Sequence, residues 1–441
     1  MKNKVYINNK IKSFNKKIYI SGDKSISIRS VLLASQAVGV SRIYNILESE
    51  DVINTLKSIR KLGINYRKIN YYYKIQGNGL NGFTTKKKVV INAGNSGTLA
   101  RLILGLLVNS KKEITLIGDK SLSKRDFSRV TDPLKIFGAN ISSNKKRLPV
   151  KIIGSEFLRP IKFTEILGSA QCKSAVMLAA LKTPGITKIK AKKSRNHTEI
   201  FFKNLKIPIK VLSKKNYDHI EITGEYNFKG FDYKVPGDIS SSSFFIVLTL
   251  LSPKSQLTIK NINTNNSRIG IIKILNKMNA NIKLKNKKIY KGEQISDLIV
   301  KSTKKLIGIS CPSHLNSSAI DEFLILFLIA AKAKGVSTFK DLGELNKKES
   351  PRLDIGINFL RKIGIKVKRF KNNIKIYGNP ELNLKGNYGM KNFRKDHRVF
   401  MMSCIAALTL GGSWKIHDKD SINTSFPSFI KLIKTLGAEV F

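Results

Sequence analysis

Cysteine is scarce in this chain: Cys172, Cys311 and Cys404 are the three among 441 residues. They are odd in number and far apart, no C-x-x-C pair occurs, and the five histidines do not gather near them. A disulfide framework and a zinc site are therefore not expected, and a reducing cytoplasm fits. Long apolar runs are missing too. The longest, Phe323 to Ala331, is about half of the roughly 18 residues a membrane span requires. The N-terminal stretch MKNKVYINNKIKSFNKKIYI is basic. It lacks the apolar core of a secretory signal and the arginines of a transit peptide. Acidic residues are few, 29 against 81 Lys and Arg, so the net charge is +52. Such a balance raises the question of nucleic acid. The lysines, however, are spread along the whole chain. Lys, Asn and Ile, all abundant, share A/T-rich codons, so genomic composition is the plainer explanation. A positive field still draws anionic substrates. Neither a nucleic-acid nor a membrane partner is expected.

What the chain does have is length, apolar content and an internal repeat. At 41% hydrophobic residues a core can form and disorder is excluded. The length exceeds one ordinary core and suggests two or three domains. Six times, a polar segment ending in Ser, Thr, Asp or Arg precedes an apolar helix-like run. A short strand follows, then an amphipathic helix ending near Gly or Asn. The copies start near residues 22, 95, 168, 237, 317 and 395, with successive differences of 73, 73, 69, 80 and 78. A period of that length is one supersecondary unit. Each copy reads strand, helix, strand, helix, then two strands, as in the pairs YYYKIQGN and RLPVKIIG. The fold class is α/β.

The repeat puts a polar motif at each helix start, where free N–H groups and the helix dipole attract anions. GDKSISIR presents Lys24, Ser25 and Arg29, the last two one turn apart. GNSGTLAR presents Asn95, Ser96, Gly97, Thr98 and Arg101. It has the composition of a phosphate cradle but is not a P-loop. SLSKRDFSR supplies Arg125 and Arg129; GSAQCKS supplies Ser169, Gln171 and Lys173; SRNH supplies Ser194, Arg195 and His197. AIDEF sets Asp321 and Glu322 before the most apolar run, as an N-cap or as an acid/base. ELNKKESPR gives Glu344, Lys348, Glu349 and Arg352, with Glu349 a candidate proton carrier, and KDHR gives His397 and Arg398. Taken singly, each reads as a capped helix with surface charge. Together they suit a doubly anionic substrate pair and proton transfer. Neither a metal cluster, a dinucleotide fingerprint nor a nucleophile elbow occurs.

GDKSIS-x-R, GNSGT-x-x-R, S-L-x-K-R, S-A-Q-x-K-S, S-R-x-H-T-E, V-P-G-D-I-S-S, the I-D-E helix start, E-L-x-x-K-E-S-x-R-L and D-H-R follow one another from about residue 15 to the end. In this order they resemble the bacterial 3-phosphoshikimate 1-carboxyvinyltransferases, nearer to the branch with S-A-Q than to that with S-S-Q. The resemblance implies two similar domains, each of three βαβαββ units, joined by a two-stranded hinge and closing on the substrates. Residues 1–21 and 237–441 would form one, 22–236 the other. It implies transfer of an enolpyruvyl group from phosphoenolpyruvate to the 5-hydroxyl of shikimate 3-phosphate in a monomer, with no metal or organic cofactor. By position, Lys24, Ser25, Arg29, Ser169, Ala170, Gln171, Ser194, Asp321 and Lys348 would contact shikimate 3-phosphate. Lys24, Gly97, Arg125, Gln171, Arg352 and Arg398 would contact phosphoenolpyruvate, for which the inhibitor glyphosate competes. Asp321 would be the base at the hydroxyl, with Lys24 and Glu349 as proton carriers.

Some positions depart from the family pattern. Ile28 stands where His or Asn is usual, Asp126 where Pro is usual, Pro351 where Asp is usual, and Thr424 where some members have Lys. Asp126 puts a negative charge beside Arg125. A related enzyme transferring enolpyruvate to a UDP-amino sugar is the nearest alternative. Its mobile loop typically carries a reactive Cys, which GDKSLSKRDFSR lacks. A basic nucleic-acid-binding protein would need clustered cations with aromatic platforms.

Overall fold

The computed structural model describes residues 3–85 and 88–441. Its helices are α1 (Lys24–Gln36), α2 (Glu50–Lys61), α3 (Gly97–Leu106), α4 (Ser128–Ile136), α5 (Ala170–Ala180), α6 (His197–Asn204), α7 (Ile239–Leu251), α8 (Gly270–Lys277), α9 (Phe323–Ala331), α10 (Arg352–Lys362), α11 (His397–Leu410) and α12 (Phe429–Thr435). Five of the six repeat starts fall two residues before the odd-numbered helices, and the fifth, near 317, lies six residues before α9. Side chains of Asp23, Ser96, Ser169, Asp238 and Asp396 accept first-turn N–H groups of α1, α3, α5, α7 and α11. These caps satisfy donors that the helix itself cannot.

The chain forms two compact units. One comprises Met1–Ser21, Pro236–Ile289 and Gln294–Phe441; the other, Gly22–Val235 and Tyr290–Glu293. The boundaries expected from the sequence place 290–293 in the unit of the chain ends and Pro236 in the inserted one. Local bonds explain the first difference. Tyr290 Oη accepts from Lys234 N at 2.9 Å, its ring meets Tyr233 at 5.6 Å, and Glu293 pairs with buried His197 at 2.6 Å.

The Gly22–Val235 unit repeats one sheet three times. In each, a parallel pair is followed by two antiparallel neighbours. The strand orders are Asp232–Lys234, Val38–Tyr44, Tyr72–Asn78, Tyr66–Ile69; then Val89–Asn92, Ile114–Ile117, Arg147–Ile153, Asn140–Asn144; then Lys162–Glu165, Ile186–Lys192, Tyr217–Thr223, Ile209–Ser213. Helix α3 packs on α1 and α5. A Cβ on Gly105 would lie 2.1 Å from the carbonyl oxygen of Ala175, so only glycine permits that approach of α3 to α5.

In the other unit the N-terminal segment completes two sheets. Asn15–Tyr19 runs parallel to Gln256–Asn263, and Lys4–Ile7 pairs antiparallel with Gly411–His417. The sheet of Gly335–Phe339, Asn373–Gly378 and Val367–Phe370 has three strands. Parallel bridges at Ile307 and Ser310 stand where the repeat calls for a fourth. Helices α7, α9 and α11 pack on one another. Every residue of α9, FLILFLIAA, is buried, as an all-apolar helix must be. No helix among the described residues is long and apolar enough to cross a membrane.

Candidate functional site

The sequence-derived residues gather into two clusters, one in each unit. In the Gly22–Val235 unit, Lys24 opens α1, and its Nζ lies 2.8 Å from Asp51 Oδ2 at the start of α2. Arg29 is not a solvated cation. It is buried, donating from Nε to Thr198 Oγ1 and from Nη2 to Ser174 Oγ, both at 2.9 Å, and from Nη1 to the Ser25 carbonyl at 3.0 Å. Gln171, at the start of α5, accepts from Arg101 Nη1 and donates to Thr98 Oγ1, each at 2.9 Å. Arg125 Nη2 donates to Asn95 Oδ1 at 3.2 Å. A Cβ on Gly97 would sit 2.7 Å from Arg101 Nη1 and 2.9 Å from Arg125 Nη1. The absent side chain at Gly97 is thus what lets two guanidinium groups approach the start of α3. Ser169 caps α5, Ala170 follows it, and Ser194 Oγ is buried without a hydrogen-bond partner among the described residues.

Two residues that read as surface charge, Lys173 and His197, are buried. Lys173 is fully buried and forms an ion pair with Glu199 at 2.6 Å. His197 is buried against Glu293. Asp126 is exposed, and its Oδ1 accepts from Ser128 N at 2.6 Å and Ser128 Oγ at 2.5 Å, at the start of α4. What burial it has works to raise its pKa, but the Ser128 bonds outweigh it and hold the carboxyl below the usual range. The charge beside Arg125 is therefore engaged locally.

In the other unit, Asp321 is the common anion of three cations. Its carboxylate lies 3.4 Å from Arg352 Nη1, 3.7 Å from Lys348 Nζ and 3.9 Å from Arg398 Nη2. It does not cap α9. Glu322 holds the cap position but bonds no helix N–H there; it accepts from Ser240 Oγ instead. Arg352 begins α10 and is buried. Its Nε meets Asp396 Oδ2 at 2.9 Å, and its Nη2 meets Asp396 Oδ1 at 3.2 Å and Glu349 Oε2 at 2.5 Å. Burial alone would push the Asp396 carboxyl up; the Arg352 guanidinium holds it below the ordinary range. Asp396 also caps α11 through Arg398 N at 2.9 Å, so one carboxylate bonds the side chain of Arg352 and the backbone of Arg398. Thr424 Oγ1 lies 3.3 Å from His397 Nδ1. Pro351 stands at the cap position of α10, and Ile28 is wholly buried.

Sequence reasoning passed over Asp51 and Asp396 as partners. Asp51 looks like any carboxylate in a first helical turn, and only tertiary structure carries it to Lys24. Asp396 stood inside the D-H-R motif, where its position before an apolar helix was a usable signal.

A family model described as EPSP synthase (3-phosphoshikimate 1-carboxyvinyltransferase) matches residues 8–433. The chain belongs to the EPSP synthase family. Among curated relatives, the 3-phosphoshikimate 1-carboxyvinyltransferase of Ruthia magnifica is 39% identical over 96% of this chain and 95% of its own. That of Bacillus cytotoxicus is 35% identical, over 96% and 98%. An EPSP synthase from Acinetobacter baumannii superposes with a TM-score of 0.86 at 32% identity, covering 99% of both chains. The enolpyruvyl transferase NikO from Streptomyces tendae has a TM-score of 0.77 at 13% identity and shares the fold. The fold is that of the enolpyruvyl transferases, and the expected family is the one found.

Proposed function

We propose that this EPSP synthase family chain transfers the enolpyruvyl group of phosphoenolpyruvate to the 5-hydroxyl of shikimate 3-phosphate and releases phosphate. The observation that carries the residue-level reading is Asp321, a carboxylate held among Lys348, Arg352 and Arg398. Asp321 takes the hydroxyl proton as the oxygen bonds to the central enolpyruvyl carbon. The methylene carbon gains a proton from Lys24 or Glu349, giving a tetrahedral intermediate. The bond to phosphate then breaks, and loss of a methyl proton restores the double bond. Lys24, Gly97, Arg125, Gln171, Arg352 and Arg398 receive phosphoenolpyruvate. Lys24, Ser25, Arg29, Ser169, Ala170, Gln171, Ser194, Asp321 and Lys348 receive shikimate 3-phosphate. The cations offset charge that develops as the reaction proceeds.

Ser169-Ala170-Gln171 supports membership of the S-A-Q branch, and we take the two compact units as the two domains of a monomer. The cysteine-free segment from Gly118 to Arg129 argues against the UDP-sugar enzyme. Phosphate release decides the matter, measured with both substrates and with each omitted in turn. Release only with both supports the reading; release with a UDP-amino sugar in place of shikimate 3-phosphate sinks it.

A further inference from the structure

Arg29 is held by two hydroxyls that no substrate assignment uses. Thr198 Oγ1 in α6 accepts from its Nε and Ser174 Oγ in α5 from its Nη2, each at 2.9 Å, and the two oxygens are 2.7 Å apart. Beside this rung lies a second. Lys173 and Glu199, one residue earlier on α5 and one later on α6, pair at 2.6 Å and are buried. Two consecutive polar rungs thus join α5 and α6 near their starts, and the guanidinium of α1 closes the Ser174–Thr198 rung. The first turn of α5 carries Ala170 and Gln171, and Ser194 lies just before α6.

Stability alone does not account for such a network. Buried charged and polar groups can often be exchanged for well-packed apolar ones without loss of stability. What they can supply is orientation. An arginine side chain has many rotamers, and ordering it when a ligand arrives weakens binding. Two acceptors along one edge of the guanidinium fix its plane before any ligand is present.

We propose that Thr198, together with Ser174, is a positioning residue that pre-orients Arg29 for shikimate 3-phosphate. This rests on the reading that Arg29 contacts that substrate. The test compares Thr198→Val, Thr198→Ser and Arg29→Lys. Valine keeps the branched shape but removes the acceptor; serine restores it. Calorimetric titration with shikimate 3-phosphate should show Thr198→Val binding about tenfold more weakly, the scale of one disturbed charge-assisted hydrogen bond. KM for shikimate 3-phosphate should rise in step. KM for phosphoenolpyruvate should stay within about twofold of the starting protein, and Thr198→Ser should bind within about twofold as well. Unchanged binding in Thr198→Val beside weakened binding in Arg29→Lys overturns the positioning role and leaves the contact intact. Unchanged binding in Arg29→Lys overturns the contact and the proposal with it. Equal weakening toward both substrates also overturns it, since that marks general damage. If Thr198→Val does not fold, Ser174→Ala removes the other acceptor from α5 alone and is held to the same outcomes.

Discussion

Asp321 has no helix end to support, so its replacement separates chemistry from folding cleanly. Asp321→Asn should melt near the starting protein, because Arg352 keeps Asp396 and Glu349 as partners. Its turnover should fall about 100- to 10,000-fold, the usual cost of a lost positioned base. Near-normal steady-state turnover would remove Asp321 from that role. At Gly97 a methyl group would displace the ends of Arg101 and Arg125. Gly97→Ala should therefore raise KM for phosphoenolpyruvate more than KM for shikimate 3-phosphate, and weaken glyphosate further still, since a clash penalises the longer ligand first. Equal glyphosate inhibition constants in mutant and parent would show that Gly97 does not line that pocket. Lys182 offers a third test. It is buried, its Nζ donates to the Leu80 carbonyl, and burial pushes its pKa down to about 7. Between about pH 7 and the ordinary lysine value near 10.4, the unfolded chain binds this proton and the folded one does not. Stability from this group therefore rises with pH across that window, by at most about 1.4 kcal/mol per unit. Urea unfolding of Lys182→Met should lack that rise; parallel pH slopes in the two proteins would refute it. Lys24, Arg29 and Arg352 were legible in the sequence because each sits at a helix start within a repeated motif. The hold of Asp51 on Lys24 was not, since it depends on how the chain folds back over 27 positions; the bond of Asp126 to Ser128, two residues on, is a local signal of a short acidic side chain before a helix.

At the level of elements, the strand Lys4–Ile7 contributes buried Val5 and Ile7 to the core of its unit. Deleting residues 1–8 should lower stability by about 3–6 kcal/mol, from two apolar side chains at about 1.5–3 kcal/mol each. Equilibrium urea unfolding checks this, and a midpoint that does not move would mean the strand is dispensable. The sixfold spacing made the odd-numbered helices legible, because caps and apolar runs are local signals. The sheets were legible only as strand pairs. Nothing local in Ile307–Ser310 marks it as two bridges where a strand was due. Nor does anything in Tyr290–Glu293 announce its bonds to His197 and Lys234, which join segments far apart in sequence.

For the whole molecule, charge dominates the encounter with substrate. A net charge of +52 attracts anions over distances comparable to the Debye length, about 30 Å at 0.01 M salt and 8 Å at 0.15 M. Raising salt across that range should lower kcat/KM for both substrates severalfold while kcat changes little. A flat kcat/KM would show that the charge is a matter of composition and not of capture. The pairing of the chain's two ends has a different consequence, one for biosynthesis. Ile7 finds its partner in Trp414, 407 positions later. At about 5–20 residues per second of translation, the ribosome needs about 20–80 s to supply that partner. Well before that interval ends, the Gly22–Val235 segment and then Tyr290–Glu293 have been synthesised. The first strand waits meanwhile as an open edge, with Val5 and Ile7 uncovered, which is the kind of nascent segment that chaperones bind.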